Sequence, residues 1–162
     1  MIKPEPRGMP VVMSVFSDAD HAGNLMTRRS HTGILIFLNN AIVDWYSKGQ
    51  ATVESSTFGS ETIALRTSVD KIQALRYKLY MTGVPIDDPT NIFNRTVCNS
   101  AQRLDARLGK KHNAINFHRI RESVAGKWCR IAFEPGETNL ADFFTKILPT
   151  YKRRQFLKHL LH

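Results

Sequence analysis

Near Ser55 the spacing of apolar residues switches from short β-rich runs to a helical repeat, and that switch dictates the architecture. Upstream, Val11 to Phe16 (VVMSVF) forms one run that stops at Ser17-Asp18-Ala19-Asp20. Thr32 to Leu38 and Ile42 to Ser47 form two more, with Asn39-Asn40 between them as a tight turn. Short connections between three such runs predict an antiparallel meander. Downstream, Leu65, Val69, Ile72 and Leu79 recur at steps of four, three and seven. That spacing predicts a long amphipathic helix over roughly Gly59 to Met81, capped among Ser55, Ser56 and Thr57 and ended by Gly83 and Pro85. Strands over Thr90 to Phe93 and Trp128 to Phe133 follow. Helices are expected over Asn113 to Val124, around Leu140 to Leu148 on an apolar face of Leu140, Phe143, Phe144, Ile147 and Leu148, and over Tyr151 to Leu161. The sum is an α/β fold with a mixed five-stranded sheet, an antiparallel meander and then parallel strands, with helices packed on it.

A length of 162 residues suits one domain with a real core. The expected organisation is an irregular lead-in at 1–10, a domain at 11–150, and a basic amphipathic helix at 151–162. Hydrophobic residues make up 42% of the chain without any run of 18, so no membrane span is expected. The first ten residues lack the apolar core of an export signal, which points to an intracellular protein, cytoplasmic or nuclear. Cys98 and Cys129 have no metal-like spacing and read as reduced, structural thiols rather than zinc ligands. Twenty-three Lys and Arg against fourteen Asp and Glu leave a formal charge of +9. A surplus of that kind favours a polyanionic partner, with solubility as the equally good alternative on charge alone. The basic residues gather at Arg28-Arg29, at Arg103 to Arg121 and at Lys152 to Arg154.

Three acids stand out by position. Asp18 ends a buried-looking strand, where ligand groups of open α/β sheets collect, although turn-forming Asp is common there too. Glu61 lies one helical turn before Leu65, on the stripe that should face the sheet, where a carboxylate is costly unless neutralised. Its alternative is a first-turn acid serving the helix dipole, worth about 0.3–1 kcal/mol. Asp142 is off the apolar stripe of its helix, so the dipole alternative is stronger there. His112 and His118 form no ligand set, and Ser55 to Thr57 have no histidine base, which leaves them as caps.

Taken in order, the motifs resemble the ribonuclease H domain of copia-type retrotransposon polyproteins. Ser17 to Gly23 (SDADHAG) resembles the opening strand of that family, and Thr27 to Gly33 (TRRSHTG) its basic turn. Trp45-Tyr46-Ser47-Lys48 with Gln50, and Ser56 to Leu65, resemble its third strand and first long helix. Lys110 to Ile115 with His118 to Glu122, and Gly136 to Lys146 (GETNLADFFTK), resemble its basic segment and closing motif. The resemblance implies a ribonuclease H-like fold and hydrolysis of the RNA strand of RNA–DNA hybrids with two Mg²⁺ ions roughly 3.5–4 Å apart. It implies Asp18, Glu61 and Asp142 as catalytic metal ligands. It also implies Arg28, Arg29, Lys48, Gln50, Lys110, Lys111, His112 and Arg119 as nucleic-acid contacts. A reverse transcriptase domain of the same polyprotein is the implied partner, and residues 1–10 the remnant of a linker from it.

One acid of the family pattern is missing. An Asp is expected at the end of the fourth strand, where this chain reads Asn91-Ile92-Phe93-Asn94-Arg95-Thr96. Either Phe93 stands in its place or a Cys-Asp pair has been lost. Asp87 and Asp88 precede the strand and would lie at its wrong end. An impaired nuclease is therefore expected. Its rivals are a fully active enzyme completed by another group, a catalytically inactive nucleic-acid-binding relic, and a basic interaction domain without nucleic acid.

Overall fold

The β-rich runs form three antiparallel strands, β1 (Met13–Asp20), β2 (His31–Leu38) and β3 (Ala41–Gly49), in a computed structural model that describes residues 8–95 and 113–160. Asn39 turns the β2–β3 hairpin with a φ of 54°, a left-handed conformation that Asn tolerates better than most residues. β1 runs further than the sequence pattern suggests. Ser17, Asp18, Ala19 and Asp20 each pair with a β2 residue, Asp18 opposite Gly33 and Asp20 opposite His31. Asp18 is thus held in a ladder, not in a loop beyond it.

Helix α1 (Thr57–Met81) starts where the Ser56 hydroxyl accepts the Gly59 N–H at 3.2 Å. It ends where Gly83 takes a φ of 79° and the Val84 N–H returns to the Leu79 carbonyl. This helix provides the crossover that parallel pairing demands. It is followed by β4 (Thr90–Asn94), α2 (Ala114–Ala125), β5 (Cys129–Phe133), α3 (Asp142–Thr145) and α4 (Thr150–Leu160). β4 pairs parallel with β1 and β5 parallel with β4, so the sheet order is β3-β2-β1-β4-β5. The mixed sheet expected from sequence is the one found.

The main core lies on one face of that sheet. Val15, Ile34, Ile36, Ile92 and Ile131 meet Leu65, Val69 and Ile72 of α1 and Ile120 of α2. Buried Cys129 on β5 is a free thiol, and Cys98 lies outside the described residues. On the other face, the Phe16 ring stacks on Phe93 at 5.0 Å and meets Phe37 edge-on at 5.9 Å.

Helix α3 lies against β2 on this second face because Gly33 has no side chain. A Cβ there would fall 2.6 Å from Thr145 Cγ2 and 2.7 Å from the Ala141 carbonyl oxygen. Of the apolar face expected for this segment only Leu148 is fully turned inward. Ala141, Asp142, Thr145 and, further on, Leu148 are buried, whereas Ile147 is fully exposed and Phe143 and Phe144 are half-buried. Polar groups face the sheet here because they have polar partners to meet. Phe156 anchors α4. Among the described residues no helix is long and apolar enough to cross a membrane.

Candidate active site

Three elements bring Asp18, Glu61 and Asp142 to the same end of β1. Alternation along β1 turns Ser17 toward α1, where its hydroxyl accepts from Ser68, and turns Asp18 toward α3. There the Thr145 hydroxyl donates to Asp18 Oδ2 at 2.5 Å. Lys146 Nζ bridges the two aspartates, 3.0 Å from Asp18 Oδ2 and 2.7 Å from Asp142 Oδ1. Lys152, from α4, reaches Asp142 Oδ2 at 3.5 Å. Glu61 enters from α1 and accepts the Ala19 backbone N–H. It is the fifth residue of its helix, past the first turn, so a role in offsetting the helix dipole does not account for it. All three acids are almost fully buried.

A fourth residue joins them that the sequence reading passed over. The Phe93 ring does not meet Glu61; it stacks on Phe16, on the face of the sheet that also carries Asp18. Asn94, next along, shares the face of core residue Ile92 and is completely buried. Its Nδ2 donates to Glu61 Oε2 at 3.1 Å and to the Ser17 carbonyl at 3.2 Å. Asn139 donates to that same carbonyl at 3.0 Å. The β1–β4 ladder ends at Phe16 and Phe93, so these two amides satisfy a carbonyl the sheet leaves free. The available signal was strand alternation: with Ile92 in the core, its i+2 neighbour had to face the same way.

The electrostatics follow from burial and crowding. Burial first, and then the negative charge of Asp18, push the Glu61 carboxyl up to about 8. Hydrogen bonds from Asn94 and Ala19 and the charge of Lys146 oppose that rise. Burial also raises the Asp142 carboxyl, and its hydrogen bond from Lys146 opposes the change. For Lys146, burial favours the neutral amine, but its contacts with Asp142 and Asp18 outweigh this and hold its ammonium above the ordinary range.

Among the described residues no group of three or more His, Cys, Asp or Glu side chains is set as a ready metal cage. The donor chemistry nevertheless suits a hard cation. Asp18 and Asp142 already share one positive charge in Lys146 Nζ, and a cation beside Glu61 would relieve the repulsion from Asp18.

The residues expected to contact nucleic acid are placed unevenly. Arg28, Arg29 and Lys48 are exposed around the β1–β2 loop and the end of β3. Arg29 lines a groove of about 630 Å³ with Asn24, Thr27, His31, Phe144 and Lys146, beside the acids. Gln50 is buried, and its Nε2 donates to Thr32 Oγ1 at 3.0 Å and to the Ser60 carbonyl at 2.9 Å. It joins β2 to α1 and also lines the groove that holds Arg29 and Lys146. Arg119 donates to Gln73 and lies 3.6 Å from Asp70, fastening α2 to α1. Lys110, Lys111 and His112 lie outside the described residues.

An antiparallel meander continued by two parallel strands, with acids at the end of the central strand, defines a ribonuclease H-like fold. A ribonuclease H1 solved in complex with RNA/DNA hybrid is similar, with a TM-score of 0.62 at 16% identity, over 82% of this chain and 93% of that one. A foamy viral protease-reverse transcriptase in complex with RNA/DNA hybrid gives 0.57 at 17%, over 90% of this chain and 21% of that one. No family model matches the chain. In sequence it is 27% identical over 151 residues to the retrovirus-related Pol polyprotein from transposon TNT 1-94 of Nicotiana tabacum, covering 90% of this chain. It is 25% identical over 158 residues, or 95% of this chain, to that from transposon RE2 of Arabidopsis thaliana. The chain is ribonuclease H-like in fold and a relative of copia-type transposon Pol polyproteins. It spans 11% of the length of each of these two relatives.

Proposed function

We propose that this chain is a metal-dependent nuclease domain that hydrolyses the RNA strand of RNA–DNA hybrids, slowed because Asn94 stands where a fourth carboxylate would serve. The observation that carries the reading is the convergence of Asp18, Glu61 and Asp142 on one strand end from three separate elements. Buried acids crowded together lower stability, so a fold that keeps them invites a chemical explanation. Asp18, Glu61 and Asp142 would hold Mg²⁺, while Asn94, whose Nδ2 donates to Glu61 Oε2, would supply no carboxylate to it. When bound, Mg²⁺ supplies charge to polarise the scissile phosphate and lower the pKa of an attacking water. The chain's own groups fix the acids: Thr145 orients Asp18, Ala19 orients Glu61, and exposed Arg28, Arg29 and Lys48 offer charge to phosphates. In its longer relatives such a segment would work beside a reverse transcriptase, in the cytoplasm or nucleus.

The test is cleavage of a labelled RNA–DNA hybrid, first with Mg²⁺ and then with Mn²⁺, with Glu61→Gln as control. Slow metal-dependent cleavage that the control abolishes supports the reading. A second reading, a hybrid-binding module without catalysis, is favoured by Lys146 lying between Asp18 and Asp142. Salt-sensitive hybrid binding without cleavage under either metal would establish it instead.

A further inference from the structure

We infer that Lys146 is a built-in counter-cation of the acid cluster, and that a divalent ion gains Asp18 and Asp142 only as the Lys146 ammonium leaves. This rests on the metal-site reading above. The bridging distances of 3.0 and 2.7 Å put the ammonium on the oxygens that a shared ion would use. An ammonium and a divalent cation cannot both occupy that place, because their repulsion is strongest where the acids are least hydrated.

The two sides of the bridge differ in freedom. The Asp18 and Asp142 side chains are only 5% and 6% exposed, and Asp18 is further held by Thr145. The Lys146 side chain is 37% exposed and sits at the C-cap of one-turn α3, next to fully exposed Ile147. Lys146 can swing into the adjoining groove without opening the core, while the acids stay where they are. The bridge also explains how buried carboxylates are tolerated before metal arrives. Of the two aspartates Lys152 reaches only Asp142, at a longer 3.5 Å, while also donating to the Gly136 carbonyl, and it supplies charge without bridging.

Mn²⁺ binding to the full chain, followed by calorimetry and electron paramagnetic resonance, tests this without any cleavage. Lys146→Met is expected to bind Mn²⁺ about tenfold or more tightly than the native chain. Its melting temperature in chelator should fall, and Mn²⁺ should raise it by more than in the native chain. Lys152→Met, which removes a nearby charge but no bridge, should tighten binding distinctly less. If Lys146→Met does not fold, Lys146→Gln replaces it. Equal tightening in both lysine variants would overturn the bridge in favour of a general charge effect. Unchanged or weaker Mn²⁺ binding in Lys146→Met would overturn it while leaving the metal-site reading intact. No Mn²⁺ binding by any variant would remove both.

Discussion

Asn94 Nδ2 donates to Glu61 Oε2 across 3.1 Å in a place closed to solvent. An amide has nearly the shape of a carboxylate, but it is uncharged and presents N–H where a cation seeks oxygen. Asn94→Asp should therefore restore the charge in its proper place. Hybrid cleavage is expected to rise by about 10²–10³, the usual worth of one preorganised electrostatic group. In chelator the same variant should lose about 1–3 kcal/mol, because its carboxylate cannot donate to the Ser17 carbonyl or to Glu61. Phe93→Asp places its charge against the Phe16 ring, on the face away from Glu61, and should destabilise without raising the rate. A folded Asn94→Asp that cleaves no faster than the native chain rules this account out.

The Glu61 carboxyl, held at about 8 against an ordinary 4.5, sets a pH dependence in the absence of metal. Between those values the folded chain keeps a proton that the unfolded chain has released. Stability therefore falls as pH rises from about 4.5 through about 8, and levels off above. Glu61→Gln keeps a neutral acceptor for Asn94 and should flatten that decline. Urea unfolding in chelator at a series of pH values compares the two chains. Identical slopes would show that Glu61 does not carry the effect.

Periodicity announced most of this fold, because β1 to β3 and α1 each bury one face of a regular repeat. Where it misled, a polar group had a polar partner to reach. The closing segment carries Leu140, Phe143, Phe144, Ile147 and Leu148 at helical spacing, yet of these only Leu148 is buried, while Asn139, Asp142 and Thr145 turn inward to meet Ser17 and Asp18. Asn94 escaped notice because a search for acids passes over an amide of the same shape. Gln50 and Arg119 sit in stretches that resemble binding motifs, and their side chains also join secondary-structure elements, a role local spacing does not announce. Pairings between residues far apart in the chain, such as Lys146 with Asp18, depend on α3 settling over Gly33 and cannot be read from local spacing.

Gln50 and Arg29 should separate structure from binding. Gln50→Ala removes two buried hydrogen bonds, to Thr32 and Ser60, and should cost about 1–3 kcal/mol. It should leave the affinity for hybrid unchanged in the protein that still folds. Arg29→Ala touches an exposed side chain and should leave stability within about 0.5 kcal/mol. It should weaken hybrid binding and reduce the salt slope by about 0.9 if Arg29 neutralises one phosphate of a duplex. Unfolding curves and affinities at several salt concentrations measure both. Weaker hybrid affinity in folded Gln50→Ala would return that residue to the binding surface.

Gly33 tests whether the approach of α3 builds the site. It pairs with Asp18 across β1 and β2, and α3 rests directly above it. A methyl group at this position would meet the Ala141 carbonyl at 2.7 Å, a backbone atom that cannot rotate away, and Thr145 Cγ2 at 2.6 Å. Gly33→Ala must therefore lift α3, carrying Asp142, Thr145 and Lys146 away from Asp18. Crowding of this kind costs about 1–3 kcal/mol in a packed interior. Alanine is otherwise at least as acceptable as glycine within a strand, so a stability loss would report the clash rather than the backbone. Mn²⁺ affinity and hybrid cleavage should both fall, although no acid has been altered. Binding of the hybrid should persist, since Arg28, Arg29 and Lys48 belong to other elements. The comparison is made between native and Gly33→Ala chains under conditions where both are fully folded by circular dichroism. Unchanged Mn²⁺ affinity in the folded variant would mean that Asp142 is not held to Asp18 by the seating of α3 on Gly33.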